Sequence, residues 1–329
     1  MKRIKRNFFL CCIILIQILP LTGCTSKLMN AFPEADTIGI NTTDAIKVHE
    51  SSGYADGLSV IAPATNVNNS FEPLGIGTAL LVDDTNKETI VSYGGDTEIY
   101  PASMTKVMSG ILIAEALETG IIHMEDTVII HNEIKLEPAA ARLDLKVGDK
   151  ITVQDLVYGY LIRSLNDCGI VLAELIAGSE ENFVSMMNER AHMLGATHTH
   201  FVNCHGLHDE NHYTTAYDLY LFFREFASHE LIHSIDQITE YMLIYDNTEG
   251  EQVELKIEST NGFLSGAYNL PAKYQIGAWK SGTTKAAGSC LIMQVLYEGH
   301  NYYAVICKAE GRDTLYDRMS ALIQCIPDI

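Results

Sequence analysis

Three short segments hold residue types that together can do acyl-transfer chemistry: Ser103-Met104-Thr105-Lys106, Ser164-Leu165-Asn166 and Lys280-Ser281-Gly282-Thr283. On a helix, positions i and i+3 share a face, so Ser103 and Lys106 can meet in one cleft. A serine hydroxyl is a weak nucleophile and needs a base beside it. A lysine is that base only when neutral, and desolvation plus a second cation lowers its pKa. Lys280 is the candidate second cation. Pro101-Ala102 suits a helix entry, which puts Ser103 where the helix dipole favours developing negative charge. Ser164 is the candidate relay between Lys106 and a leaving amine, and Asn166 the candidate holder of a substrate amide. Gly282 permits close approach to a strand edge. An oxyanion hole needs two N–H donors, and the backbone amides of Ser103 and Thr283 are the candidates.

The elements that must position these groups follow from periodicity. Thr78–Asp83 reads as a buried strand and Thr89–Tyr93 as its hairpin partner. Ser103 to about Glu118 has helical spacing, with Gly120 just beyond its end. Thr152 to Asp155 is a variant capping box ahead of a helix through Leu156–Arg163. Further helices fit Cys168–Ala177, Glu180–Leu194 and Thr215–Ser228. Ser289–Tyr297 and Tyr302–Lys308 alternate as strands, and a helix from Thr314 to about Cys325 follows. Hairpin, long helical middle, strands and final helix make an α+β chain whose middle is inserted between parts of one sheet.

The 329 residues are 47% hydrophobic and 19% charged, which excludes a wholly disordered or collagen-like chain. The net charge of −20 makes a nucleic-acid partner a poor fit, because phosphate binding needs clustered Lys and Arg. Lys2, Arg3, Lys5 and Arg6 precede an apolar stretch from Phe8 to Leu21, too short for a comfortable membrane span and right for a signal peptide. It ends in Leu21-Thr22-Gly23-Cys24, which resembles the lipobox of bacterial lipoproteins. That resemblance implies cleavage before Cys24, lipidation of its thiol, and attachment outside the cytoplasmic membrane, since two acyl chains hold stably. Losing those four positive charges takes the chain from −20 to −24. Residues 24–70 are polar and weakly periodic; as a flexible tether they would reach ~35–40 Å. The expected organisation is therefore 1–23 signal peptide, 24–70 tether and 71–329 catalytic domain. Five cysteines remain after Cys24, an odd and widely spaced set that reads as small buried hydrophobes rather than a disulfide framework, with one disulfide still open.

The three segments in this order resemble the S-x-x-K, S-x-N and K-T-G set of penicillin-recognising serine enzymes. The resemblance narrows with Tyr100–Lys106, Ser164–Asp167, Ala173–Gly178, Thr199–Asn203, His205–Leu207, Tyr213–Asp218 and Gly277–Thr283 with Ala287-Gly288. Together they are similar to the serine D-alanyl-D-alanine carboxypeptidases, the low-molecular-mass penicillin-binding proteins, from about Gly75 to the end. That family implies a β-lactamase/transpeptidase-like fold: an antiparallel sheet flanked by helices, with an inserted all-helical region and the site between. It implies peptidoglycan stem peptides as substrate, with Ser103 attacking between the last two D-alanines, and β-lactams as acylating inhibitors. No metal or organic cofactor is implied. Ser281, Gly282 and Thr283 would line the substrate strand, and Arg312 would help bind the substrate carboxylate. Ser281 stands where threonine is usual. The chain ends soon after its final helix, so the further β domain and C-terminal anchor of many relatives are expected to be absent, with the N-terminal lipid in the anchor's place.

Other signals weigh less. His192, His198, His200, His205, His208 and His212 crowd with Cys204, and some spacings could hold zinc, but most lie in loop-like sequence. Glu137 and Asp144 are conceivable deacylating carboxylates, although structural roles suit them better. Val202 occupies the place where class A β-lactamases put a deacylating glutamate. Tyr158, Tyr160, Tyr217 and Tyr220 read as core and rim aromatics. The same chemistry could serve a D,D-endopeptidase, a weak transpeptidase or a β-lactamase-like hydrolase, and a non-catalytic wall-binding lipoprotein is the competing class.

Overall fold

The structure, a computed structural model, describes Leu58 and residues 71–328. The expected signal peptide, Cys24 and all of the tether but Leu58 lie outside the described residues. Strands β1 (Thr78–Asp83) and β2 (Glu88–Tyr93) form the opening hairpin. The chain returns to the same sheet much later, as β7 (Gln275–Thr284), β8 (Gly288–Tyr297) and β9 (His300–Ala309). The sheet order is β2-β1-β9-β8-β7, antiparallel throughout.

Helices cover both faces of this sheet, so β8 and β9 are buried along nearly their whole length. Alternation along them sorts the side chains between two cores. Leu291, Met293, Val295, Ala304 and Ile306 face α7 (Arg312–Ile323), meeting Leu315, Tyr316, Met319 and Leu322. Ile292, Val305 and Tyr303 face the inserted region. There α1 (Lys106–Glu118) is buried on nearly every side, from Lys106 through Ala114. A helix apolar all round belongs in a core rather than at a surface, and α1 is the post on which the site is built.

Around it stand α2 (Val153–Ile162), α3 (Asn166–Ala177), α4 (Glu180–Met193), α5 (Ala216–Phe226) and the short α6 (Glu230–Ile235). The expected cap is present: the Thr152 side chain accepts from the Asp155 amide at 3.0 Å. The insertion is not all-helical. It carries its own antiparallel sheet, β3 (Thr127–Ile129), β4 (Lys150–Thr152), β5 (Glu240–Asp246) and β6 (Gln252–Glu258), in order β3-β4-β5-β6. β3 and β4 are too short to give a periodic signal. In β5 and β6 only Leu243 and Ile257 are fully buried, so the hydrophobic pattern that marks a strand is weak.

All five cysteines within the described residues are free thiols, and all but Cys325 are buried. Cys168, two residues after Asn166, joins the core facing the insertion instead of lining the cleft.

Candidate active site

The residues 102–105 form a 3-10 turn that leads into α1, so Ser103 sits in the turn and Lys106 opens the helix. Lys106 Nζ is 3.2 Å from Ser103 Oγ. It also lies 2.7 Å from Asn166 Oδ1 and 2.7 Å from the carbonyl oxygen of His205. Lys106 has no exposed surface. Burial, reinforced by the charge of Lys280, holds its amine well below the ordinary lysine value. A neutral amine beside a serine hydroxyl is what base-assisted attack requires.

Lys280, on β7, is buried as well, and burial brings its amine down to about 7. Its Nζ is 3.2 Å from Ser164 Oγ and 3.2 Å from the Ser281 carbonyl oxygen. Ser164 Oγ therefore takes its hydrogen bond from Lys280. Ser164 has φ +68, a left-handed conformation uncommon for serine, at the join of α2 and α3. Strain of this kind persists where surrounding structure over-determines it. Here the two amides that follow are tied: Leu165 to the Gly159 carbonyl at 3.1 Å and Asn166 to the Ala141 carbonyl at 2.8 Å. Because Asn166 Oδ1 faces Lys106, its Nδ2 is the end left to donate to a substrate carbonyl.

β7 lies against the nucleophile's turn. A Cβ on Gly282 would stand 2.7 Å from the Ser103 amide nitrogen, so only glycine lets this strand and the turn meet. The cleft, about 330 Å³, is lined by Ser103, Ser164, Asn166 and the stretch Ser281–Thr284. Ser281 Oγ is 2.8 Å from Thr260 Oγ1. Arg312, the first residue of α7, also lines the cleft and is exposed; its Nη2 donates to the Thr260 carbonyl at 3.1 Å, and its guanidinium lies 5.5 Å over the Tyr316 ring. Thr260 thus braces two of the sequence-derived binding residues, and nothing in its local sequence announced it.

Ser103, Lys106, Ser164, Asn166, Lys280, Ser281, Gly282, Thr283 and Arg312 are separated by up to 209 positions, yet all converge on this cleft or on its floor. Glu137 and Asp144 do not line it. Glu137 is exposed, and Asp144 pairs with Arg142. The histidine cluster splits. His212 bonds Thr105 Oγ1 at 2.8 Å and accepts the Val202 amide at 3.2 Å, and His205 Nδ1 accepts the Leu207 amide at 3.2 Å. Burial lowers His205 to about 3 and His212 to about 4, so both are neutral supports of the turn. Thr105 and His212 are the supports that sequence reasoning missed.

A serine beside a buried lysine at the mouth of a helix, faced by a second lysine on a sheet edge, is an arrangement suited to serine acyl-transfer chemistry. Residues 67–311 match the model of the D-alanyl-D-alanine carboxypeptidase family, Peptidase_S11, and the chain belongs to that family. It is 34% identical over 184 residues to the D-alanyl-D-alanine carboxypeptidase DacF of Bacillus subtilis, covering 56% of this chain and 46% of that one. The chain spans about half the length of the curated relatives it matches. Among solved structures it is similar to the D-alanyl-D-alanine carboxypeptidase DacD of Francisella tularensis, with TM-score 0.67 and 21% identity over 81% of this chain and 72% of that one. It is similar also to penicillin-binding protein D2 of Listeria monocytogenes in its cefotaxime-bound form, with TM-score 0.64 and 23% identity over 77% of this chain and 97% of that one. The expected transpeptidase-like α+β fold is present.

Proposed function

We propose that the chain is a cell-wall serine D,D-carboxypeptidase that removes the terminal D-alanine from peptidoglycan stem pentapeptides. The observation that carries this reading is the buried Lys106 amine 3.2 Å from Ser103 Oγ, inside a cleft edged by the Lys280–Thr283 strand. Neutral Lys106 takes the hydroxyl proton as Ser103 Oγ attacks the carbonyl between the two D-alanines. The amides of Ser103 and Thr283 receive the developing oxyanion, a contribution worth ~3–4 kcal/mol per donor in comparable sites. Asn166 Nδ2 donates to the stem-peptide carbonyl. Ser164, bridged to Lys280, hands a proton to the departing amine. The free carboxylate of the substrate lies toward Lys280, Ser281, Thr283 and Arg312, a hydroxyl-and-cation set suited to a carboxylate. Water then releases the acyl group by the same proton path in reverse.

The site calls on no metal or organic cofactor for these steps. β-Lactams, which present a strained amide beside a carboxylate, would acylate the same serine. In this reading residues 1–23 are a signal peptide, Cys24 carries the lipid, residues 24–70 are the tether and 71–329 the catalytic domain, so the enzyme is membrane-anchored outside the cytoplasm. Release of D-alanine from a stem pentapeptide by the wild type, and its loss in Ser103→Ala at unchanged thermal stability, is the expected result. Equal release by both proteins would overturn the reading.

A further inference from the structure

The far end of α1 meets α4, α5 and the start of α6 in a cluster of ionisable groups remote from the chemistry. Arg190 of α4 spans two carboxylates there. Its Nε donates to Glu115 Oε1 at 2.9 Å and its Nη2 to Glu225 Oε1 at 2.8 Å. Among the described residues neither Oε2 accepts a hydrogen bond. His229, immediately before α6, lies against them. A nitrogen of its ring and one carboxylate oxygen each from Glu115 and Glu225 all lie within 4.8 Å of one another. Glu118 holds Nδ1 of that ring at 2.8 Å. Nε2 is buried with no partner, in a residue only 7% exposed.

This is an incomplete arrangement. With Nδ1–H donating to Glu118, the lone pair sits on Nε2, where no N–H or O–H meets it. A buried polar atom without a partner is costly and uncommon. A carboxylate behind one nitrogen of a histidine, with the other nitrogen free, is how proteins fix the tautomer and raise the basicity of a metal-binding imidazole. The charges agree: Glu115, Glu118 and Glu225 outweigh Arg190 by two, which a divalent cation neutralises.

We propose that Glu115, Glu225 and His229 Nε2 bind one zinc ion, with Glu118 orienting the ring and Arg190 steadying the carboxylates. An imidazole among the donors favours zinc over magnesium or calcium, which take oxygen. Zinc completes a tetrahedron with one nitrogen, two carboxylate oxygens and a water. Bonds of about 2.0–2.1 Å set the donor atoms about 3.3 Å apart, so the three close in by up to about 1.5 Å. The two glutamates can make that movement, since their side chains are 33% and 35% exposed. The ion takes no part in the reaction. It pins the end of the nucleophile's helix to α5 and to the start of α6.

The test is zinc titration of the tag-free full chain in detergent solution, after chelator treatment and desalting, read by calorimetry, elemental zinc content and thermal unfolding. One zinc per chain and a rise in the unfolding midpoint are expected. Glu225→Gln and His229→Gln should each lose at least tenfold in zinc affinity and lose the midpoint rise, while the rate of benzylpenicillin acylation stays at the wild-type value. Glu118→Gln should lose ~10–100-fold in affinity through the ring it orients. Should His229→Gln not fold, Glu225→Gln carries the comparison. No stoichiometric binding at 100 µM zinc (about the weakest affinity compatible with a built site) overturns the proposal, and so does binding of unchanged affinity in the variants, which would move the ion to the histidines between 192 and 212.

Discussion

A Cβ on Gly206 would stand 1.9 Å from the carbonyl oxygen of Ala102, the residue before the nucleophile. Gly206 has φ +87, and Ala102 itself has φ +48, a region that alanine rarely enters. The Ala102 carbonyl is gripped on another side by Thr105 Oγ1 at 2.8 Å, which His212 in turn steadies. Asn203 Oδ1 holds the Gly206 amide at 2.7 Å. The loop between α4 and α5 therefore sets the strained turn that aims Ser103. Gly206→Ala should push that turn aside, and a displacement near 1 Å costs about 100-fold in rate. The acylation rate with benzylpenicillin checks this, and a variant within a few-fold of wild type would contradict it.

The Lys106 amine works as a base because burial and Lys280 keep it neutral. An arginine in its place stays protonated at all relevant pH. Lys106→Arg should lose ~10²–10⁴ in acylation rate, as for removal of a general base. Single-turnover acylation followed by stopped flow measures it. A loss under tenfold would assign the base role to another group.

Lys280 gives a prediction on stability. Its amine is held at about 7 in the folded chain against an ordinary value of 10.5. Between those values the unfolded chain carries the proton and the folded chain does not. Stability therefore rises with pH through this window, by about 1.4 kcal/mol per unit at most, and the penalty is largest below about pH 7. Lys280→Met removes the buried amine while keeping an unbranched stem. It should be the more stable protein at pH 7, inactive, with its advantage shrinking toward pH 10. Urea unfolding of both proteins across that range tests this, and a constant difference would contradict it.

Arg312 lines the cleft, and its Nη2 holds the Thr260 carbonyl. A charge-assisted bond to a substrate carboxylate is worth ~1.5–3 kcal/mol. Arg312→Ala should therefore raise KM for D-alanine-terminated peptides by at least tenfold, and a peptide with an amidated terminus should be insensitive to the change. Equal effects on both peptides would leave Arg312 with only its bracing of Thr260.

Much of this site was legible in the sequence because its chemistry is local. Ser103 and Lys106 share a helical face three positions apart, and Gly282 sits in a strand whose glycine has no other explanation. The pairing of the end strands with the first hairpin was less so, since β1 joins β9 across more than 200 residues. The second sheet was missed because β5 and β6 bury one residue each where a strand signal needs an alternating face. Thr260, His212 and the carbonyl of His205 were missed because they act through position, not residue type: any residue supplies the carbonyl that receives Lys106. Ser164 was read as a relay between Lys106 and a leaving amine; the hydrogen bond that its hydroxyl accepts from Lys280, at a left-handed residue between α2 and α3, carried no signal in the sequence.

The central claim is that Ser103 is an acylated nucleophile, and intact mass spectrometry with benzylpenicillin tests it most directly. The wild type should gain one antibiotic mass, mapping to the peptide that contains Ser103, while Ser103→Ala gains none and the free antibiotic declines only by the amount bound. An adduct on the Ser103→Ala protein would contradict the account. So would an unmodified wild type in untouched antibiotic, and antibiotic consumed with no lasting adduct would make the chain a β-lactamase instead.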